Sequence, residues 1–517
     1  MIGSRPFLLT VIGALLAGPG AVAEDLSTRI GAVIDGPEYR HGRWGVLVVD
    51  AAKGRVVYEH NADQLFLPAS TTKLYSCSAA LHALGPNFRF ETPVYRRGSV
   101  EAGHLHGDLI LVASGDLTLG GRTLPDGSLA FTNTDHTYAD ATTTTDALTP
   151  TDPLAGLNEL AKQVKAAGID SVEGDVLIDA RLFEPAASSG SGPRLVTPIV
   201  VNDNVIDVIV TAAAAANQPA AVSLRPETAF ITLDAQVQTT AEDRPSIDVS
   251  SPGHGSLIVR GHIPLTAKPQ LRIHAVEDPA TFARTLLIEA LRRRGVAVTG
   301  SPLREPRVDL PERDAYARLT RVAAFTSPPF SEAVKVTLKV SQNNYASSMP
   351  LLVAAKHGER TLAAGLRRQR DFLRDLGIDR NSVSFAGGAG GDRADATTPR
   401  ATVSLLQALA KQPEWSAIEA GLPVLGKDGT LATAANRDGP ASGHVHAKTG
   451  TLWYEDVMNG RALLRSKALA GMMTTARGTK LIYAMFVNDV PLPQGVTPSR
   501  EGRALGHLCE IIYEHAD

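Results

Sequence analysis

The 517-residue chain has little cysteine and no metal-binding pattern. Its two cysteines, Cys77 and Cys509, permit at most one disulfide. Cys77 falls within a helical apolar pattern, so it is read as a small core thiol. No Cys/His cluster has zinc spacing and no His-Glu-x-x-His occurs, so neither a metal nor another cofactor is indicated. The 14 histidines are scattered. Charge of one sign is also lacking: 51 Lys and Arg face 54 Asp and Glu, for a net charge of −3. Without a basic excess there is no case for nucleic acid, and without an acidic tail none for a disordered solvating segment. No internal repeat is present. After residue 23 no apolar run is long enough to span a bilayer.

What is present is a long globular composition, 44% hydrophobic and 20% charged, and that length exceeds a single ordinary core. At the N-terminus Arg5 precedes a short apolar stretch, Phe7 to Ala17. Pro19-Gly20 ends it, and Ala21-Val22-Ala23 has the small-x-small form of a cleavage site. This is the layout of a secretory signal peptide over residues 1–23, so the mature protein is expected to be periplasmic or secreted. Gly45–Asp50 and Arg55–Glu59 flank a turn and predict a β-hairpin. Leu74, Cys77, Ala80, Leu81 and Leu84 then recur at helical spacing from Ser70 onward. From about 90 to 317 the texture shifts to short strand-like runs, with helices only near 153–167 and 279–294. Thr132–Asp152 and Ala186–Pro193 read as mobile polar loops. After 318 the pattern is helical, then strand-rich from His444 to Asn488, with a last helix from Arg500. The expected fold is α/β (α+β): a catalytic domain from 24–89 and 318–517, with an antiparallel sheet flanked by helices, interrupted by a largely β insertion of two small nested domains at 90–317.

Three short elements carry chemistry. Ser70-Thr-Thr-Lys73 places a serine and a lysine at i and i+3, on one side of a helix start. A serine hydroxyl needs a nearby base to act as a nucleophile, and the lysine is in place to be one. On its own this could equally be a helix-capping serine and a surface lysine. Ser341-Gln342-Asn343 is the second element. The third is Lys448-Thr449-Gly450-Thr451, which offers a cation, hydroxyls and a residue without Cβ that lets substrate backbone approach. All three in this order form the signature of penicillin-recognising serine enzymes.

With its flanks, the chain resembles the class C low-molecular-mass penicillin-binding proteins, the D-Ala-D-Ala carboxypeptidase family with endopeptidase members (peptidase family S13). Leu67–Leu74, Gly107–Asp116, Gly174–Asp179, Asn202–Ile206, Ser327–Phe330 and Gly429–Leu431 are similar to stretches of that family, and the resemblance spans most of 44–490. Ser341 follows Lys73 by 268 residues (341 − 73), a gap that matches the family's inserted domains. The Gly387–Asp392 loop departs from the family pattern, as does the long polar 132–152 segment; neither alters the three motifs.

The resemblance implies a β-lactamase/transpeptidase-like domain. It implies acylation of Ser70 by peptidoglycan stem peptides, with β-lactams as covalent inhibitors. Lys73 would be the general base, its amine kept neutral by burial and by Lys448. Asn343 would orient Lys73, and Ser341 would relay a proton. Thr449, Gly450 and Thr451 would hold substrate, with Lys448 at its carboxylate. The competing readings are a β-lactamase or esterase on the same fold, and a non-catalytic wall-binding protein. Oligomeric state is left open.

Overall fold

The computed structural model describes residues 25–139, 143–253, 255–434 and 437–516. The signal-peptide reading therefore lies outside the described residues.

The first core is built on a five-stranded antiparallel sheet in the order Val56–His60, Arg43–Asp50, Lys480–Pro491, Arg461–Thr474, Val445–Asp456. The expected hairpin forms its edge, with Val46 opposite His60. The near-continuous apolar runs reflect a sheet covered on both faces. Along Arg43–Asp50, Val46 and Val48 enter one core while Leu47 and Val49 enter another. Lys480–Pro491 alternates likewise: Tyr483, Met485 and Val487 point one way, Ile482, Ala484 and Phe486 the other. Two terminal helices, Leu26–Ile34 and Ser499–His515, cover the first face. Thr72–Leu84, Phe330–Lys339, Asn343–Lys356 and Pro399–Leu409 cover the second. Residues 400 positions apart in sequence thus share one three-layer unit.

The chain between these halves has its own core. Glu91–Glu101 and His104–Val112 lie in a second sheet with Ser171–Val172 and Ala297–Val298, and Val176–Asp179 pairs with His104–Val112. Its other edge is Thr320–Thr326, which pairs with Glu91–Glu101 although it lies beyond residue 317. Helices Ala155–Ala166 and Pro279–Arg293 pack beside this sheet. Two further sheets follow, one centred on Val205–Thr211 and Gln270–Ala275, the other on Ser256–Pro264.

Cys77 and Cys509 are both buried and free, and they lie in different cores. Burial pushes each thiol up to about 12, so both are neutral packing groups.

Candidate active site

The turn that carries Ser70 comes from local sequence. Pro68 leads into a single 3₁₀ turn, Ala69–Thr71, and the α-helix proper begins at Thr72, two residues later than the periodicity predicts. Ala69 has φ +45°, a left-handed conformation unusual for a residue with a Cβ. That strained turn holds Ser70 at the helix mouth, and Lys73 follows one turn on. Lys73 Nζ donates to Ser70 Oγ at 2.8 Å.

Helix Asn343–Lys356 brings the second element to the same place. Asn343 Oδ1 accepts from Lys73 Nζ at 2.9 Å. Ser341, in the turn before that helix, has φ +61°. Its Oγ accepts from Lys448 Nζ at 2.9 Å. The strand Val445–Asp456 thus sets the third element against the first two. Gly450 permits this approach: a Cβ there would lie 2.7 Å from the Pro68 carbonyl oxygen and 3.1 Å from Ala69 Cβ. The glycine lets the strand itself close on the nucleophile turn, where the sequence suggested room for substrate.

Both lysines are fully buried. Loss of water pushes Lys73 down to about 7, against the pull of Cys77 and Asp395. Lys448 is pushed well below the ordinary lysine range, first by burial and then by Lys73. Desolvation, the first cause expected from sequence, leads for both amines, and the repulsion between the two lysines is felt at Lys448. Nor does Lys448 face open space. Its Nζ is engaged by Ser341 Oγ and, at 2.7 Å, by the Thr449 carbonyl.

Segments read as loops complete the site. Thr132–Asp152 is anchored in its described part. The Tyr138 hydroxyl donates to the Ser341 carbonyl at 2.5 Å, and Asn133 Oδ1 accepts from the Gly429 amide at 2.9 Å. Ala186–Pro193 starts a small hairpin, Ala186–Ala187 against Leu195–Val196. Its Ser191 carbonyl accepts from Asn343 Nδ2 at 3.2 Å. In the glycine-rich loop the Ala389 carbonyl accepts from Lys73 Nζ at 2.9 Å. All three stretches therefore contact the three motifs, the first through the Tyr138 and Asn133 side chains, the other two through the Ser191 and Ala389 carbonyls. Asp395 follows the glycine-rich loop and accepts from the Ala386 and Asp392 amides. Burial raises its carboxyl to about 6. No sequence signal distinguishes it. The residues missed by sequence reasoning also include Lys467, whose Nζ donates to Thr451 Oγ1 at 2.8 Å. Strand pairing sets it directly opposite Thr451, a register visible only once the sheet is formed. A cavity of about 440 Å³ opens over Ser70, Ser341, Thr449, Thr451 and Lys467.

Behind the site lies a second buried charge cluster. Arg122 Nη2 donates to Asp135 at 2.6 Å and also to Asp203. His136 bridges Asp203 at 2.6 Å and Asp207 at 2.7 Å. The Tyr345 hydroxyl, on the helix that carries Asn343, donates to Asp203. Asp135, His136 and Asp203 converge as a cation site would, but Arg122 already supplies the positive charge. Burial opposes ionisation of His136, yet Asp207 and Asp203 outweigh it and raise the imidazole to about 10.

Residues 26–504 match the D-Ala-D-Ala carboxypeptidase 3 (S13) family. A D-alanyl-D-alanine carboxypeptidase of Actinomadura sp. (strain R39) is 29% identical over 484 residues, covering 87% of this chain and 81% of that one. The D-alanyl-D-alanine carboxypeptidase DacB of Haemophilus influenzae is 25% identical over 470 residues, covering 86% and 85%. Among solved structures, penicillin binding protein 4 (dacB) from Haemophilus influenzae superposes with a TM-score of 0.67 at 22% identity, covering 94% of this chain and 99% of that one. That likeness shows the shared fold.

Proposed function

The chain belongs to the D-Ala-D-Ala carboxypeptidase 3 (S13) family, and from that premise we propose that it is a serine-type D-Ala-D-Ala carboxypeptidase working through an acyl-enzyme on Ser70. The observation that carries this is the 2.8 Å contact between Ser70 Oγ and a Lys73 amine pushed down to about 7 by burial. A general base is most effective when its pKa lies near the working pH.

Ser70 Oγ attacks the carbonyl carbon between two D-alanines while its proton passes to Lys73 Nζ. The tetrahedral intermediate collapses, the C–N bond breaks, and the departing amine takes the proton back from Lys73 by way of Ser341 Oγ, which leaves Lys73 neutral again. Water then hydrolyses the ester, again with Lys73 as base. Asn343 and the Ala389 carbonyl hold two N–H groups of the Lys73 amine, so loss of the proton on the Ser70 side leaves its lone pair for the hydroxyl. Lys448 orients Ser341. The Ser70 and Thr451 amides form the oxyanion hole, and Thr449 and Thr451 contact the substrate's end. The substrates are peptidoglycan stem peptides, and β-lactams acylate Ser70 as inhibitors. Residues 24–89 and the chain beyond the strand Thr320–Thr326 make up the catalytic domain, with the intervening region, that strand included, inserted into it. The protein acts outside the cytoplasm after removal of residues 1–23; no helix among the described residues is long and apolar enough to cross a membrane.

The test is intact-mass measurement after exposure to penicillin, with peptide mapping. One adduct on Ser70, absent from Ser70→Ala, together with D-alanine release from a pentapeptide, is the expected result. An unlabelled wild-type protein would overturn the reading.

A further inference from the structure

The active-site cavity must recognise a substrate that ends in a free carboxylate. Lys448, the cation that the sequence assigns to this task, is fully buried and committed to Ser341 Oγ and the Thr449 carbonyl. It is not among the residues lining the cavity. Among the described lining residues the one cationic side chain is Lys467.

Lys467 lies on the strand Arg461–Thr474, directly across from Thr451. Its ammonium donates to Thr451 Oγ1 at 2.8 Å, which pins the head group beside the threonines of the third motif. The C-terminal helix makes room for it through Gly502: a Cβ there would stand 3.2 Å from Lys467 Cε and 3.5 Å from Nζ. An ammonium carries three N–H donors. Thr451 takes one of them among the described residues.

Resting on the carboxypeptidase reading above, we propose that Lys467 is the specificity-determining cation that binds the substrate's terminal carboxylate, with Thr449 and Thr451 as its neutral partners. The division of labour follows from position. Lys448 sits behind Ser341, where it can act on the proton path. Lys467 sits at the cavity wall beyond Thr451, where a carboxylate on the leaving residue would arrive once the scissile carbonyl is at Ser70. A cation paired with a carboxylate in a partly dry pocket discriminates against a neutral C-terminus because the amide leaves that cation without its counter-ion.

The experiment compares kcat and KM for two acyl-D-Ala-D-Ala peptides, one with a free C-terminal carboxylate and one with a C-terminal amide, using the mature full-length protein. Loss of a charge-assisted pair of this kind corresponds to about 10- to 100-fold in kcat/KM. Lys467→Gln should therefore lower kcat/KM for the free acid by about 10- to 100-fold, mainly through KM, and leave the amide nearly unchanged. Lys467→Arg, which keeps the cation, should retain most of the preference and serves as the check on folding. If Lys467→Gln affects both peptides equally, or neither, while the wild type is active, the inference fails and the carboxypeptidase reading stands. If the wild type releases no D-alanine from either peptide and takes no penicillin, both fall together.

Discussion

Two regions of this molecule bury positive charge, and they do opposite things with it. At the nucleophile, Lys73 and Lys448 are fully buried with neutral hydrogen-bond partners: Ser70, Asn343 and Ser341 side chains and two backbone carbonyls. Desolvation goes uncompensated, so the amines are driven toward neutrality. Behind them, Arg122 and His136 are just as deeply buried, but carboxylates of Asp135, Asp203 and Asp207 meet them. There the charged forms win, and Asp203 is held well below the usual carboxylate range. Burial without a counter-ion makes a base; burial with one makes a structural clamp. The clamp reaches the site through Tyr345, which joins Asp203 to the helix bearing Asn343.

The comparison can be broken most sharply at Lys73. Lys73→Met should lower acylation by penicillin by about 10²- to 10⁴-fold, the span of a lost general base. It should not lower the melting temperature, because a desolvated amine without a counter-ion contributes little to folding; stopped-flow acylation and calorimetry read the two sides.

At the clamp the pattern should reverse. Arg122→Met leaves Asp135 and Asp203 buried without their cation, and unfolding in urea should show a loss of about 3–5 kcal/mol. A loss under about 1 kcal/mol would mean the two regions are not different in kind.

The pH dependence sharpens the contrast. On the proposed mechanism Lys73 is a base only when neutral, and burial pushes its amine down to about 7. Penicillin acylation should therefore rise with pH through about 7 and level off above it. A limb nearer the ordinary lysine range would show that desolvation does not govern the amine.

The smallest effect belongs to Asp395, which pulls Lys73 upward from a distance. Asp395→Asn removes that pull, so the acylation limb should move to lower pH, by less than about one unit. A shift to higher pH would contradict the assigned sign.

Much of the site was legible because its decisive pairing is local. Ser70 and Lys73 stand one turn apart, and one-turn proximity needs nothing beyond the helix start. The helices Phe330–Lys339 and Asn343–Lys356 fall in the stretch after 318 that reads as helical, and Pro328-Pro329 and the Ser-x-Asn turn punctuate them. The strand Arg461–Thr474 lies in the strand-rich stretch 444–488, but Arg465, Ser466 and Lys467 break its apolar pattern, so its first half carries no strand signal. The polar stretches 132–152 and 186–193 read as loops by composition, yet Tyr138 and Ser191 bond to Ser341 and Asn343 more than 140 residues away. Nothing in a run of threonine, serine and glycine announces the distant motif it will contact.

The amino-acid sequence by itself determined the Ser70–Lys73 pairing and the order of the three motifs, because those depend on residue identity and on spacing within a turn. Only the tertiary structure decided what charge each cation carries and which of them faces the cavity. Those properties come from the water excluded and the counter-ions supplied by segments hundreds of residues apart, and no local pattern encodes them.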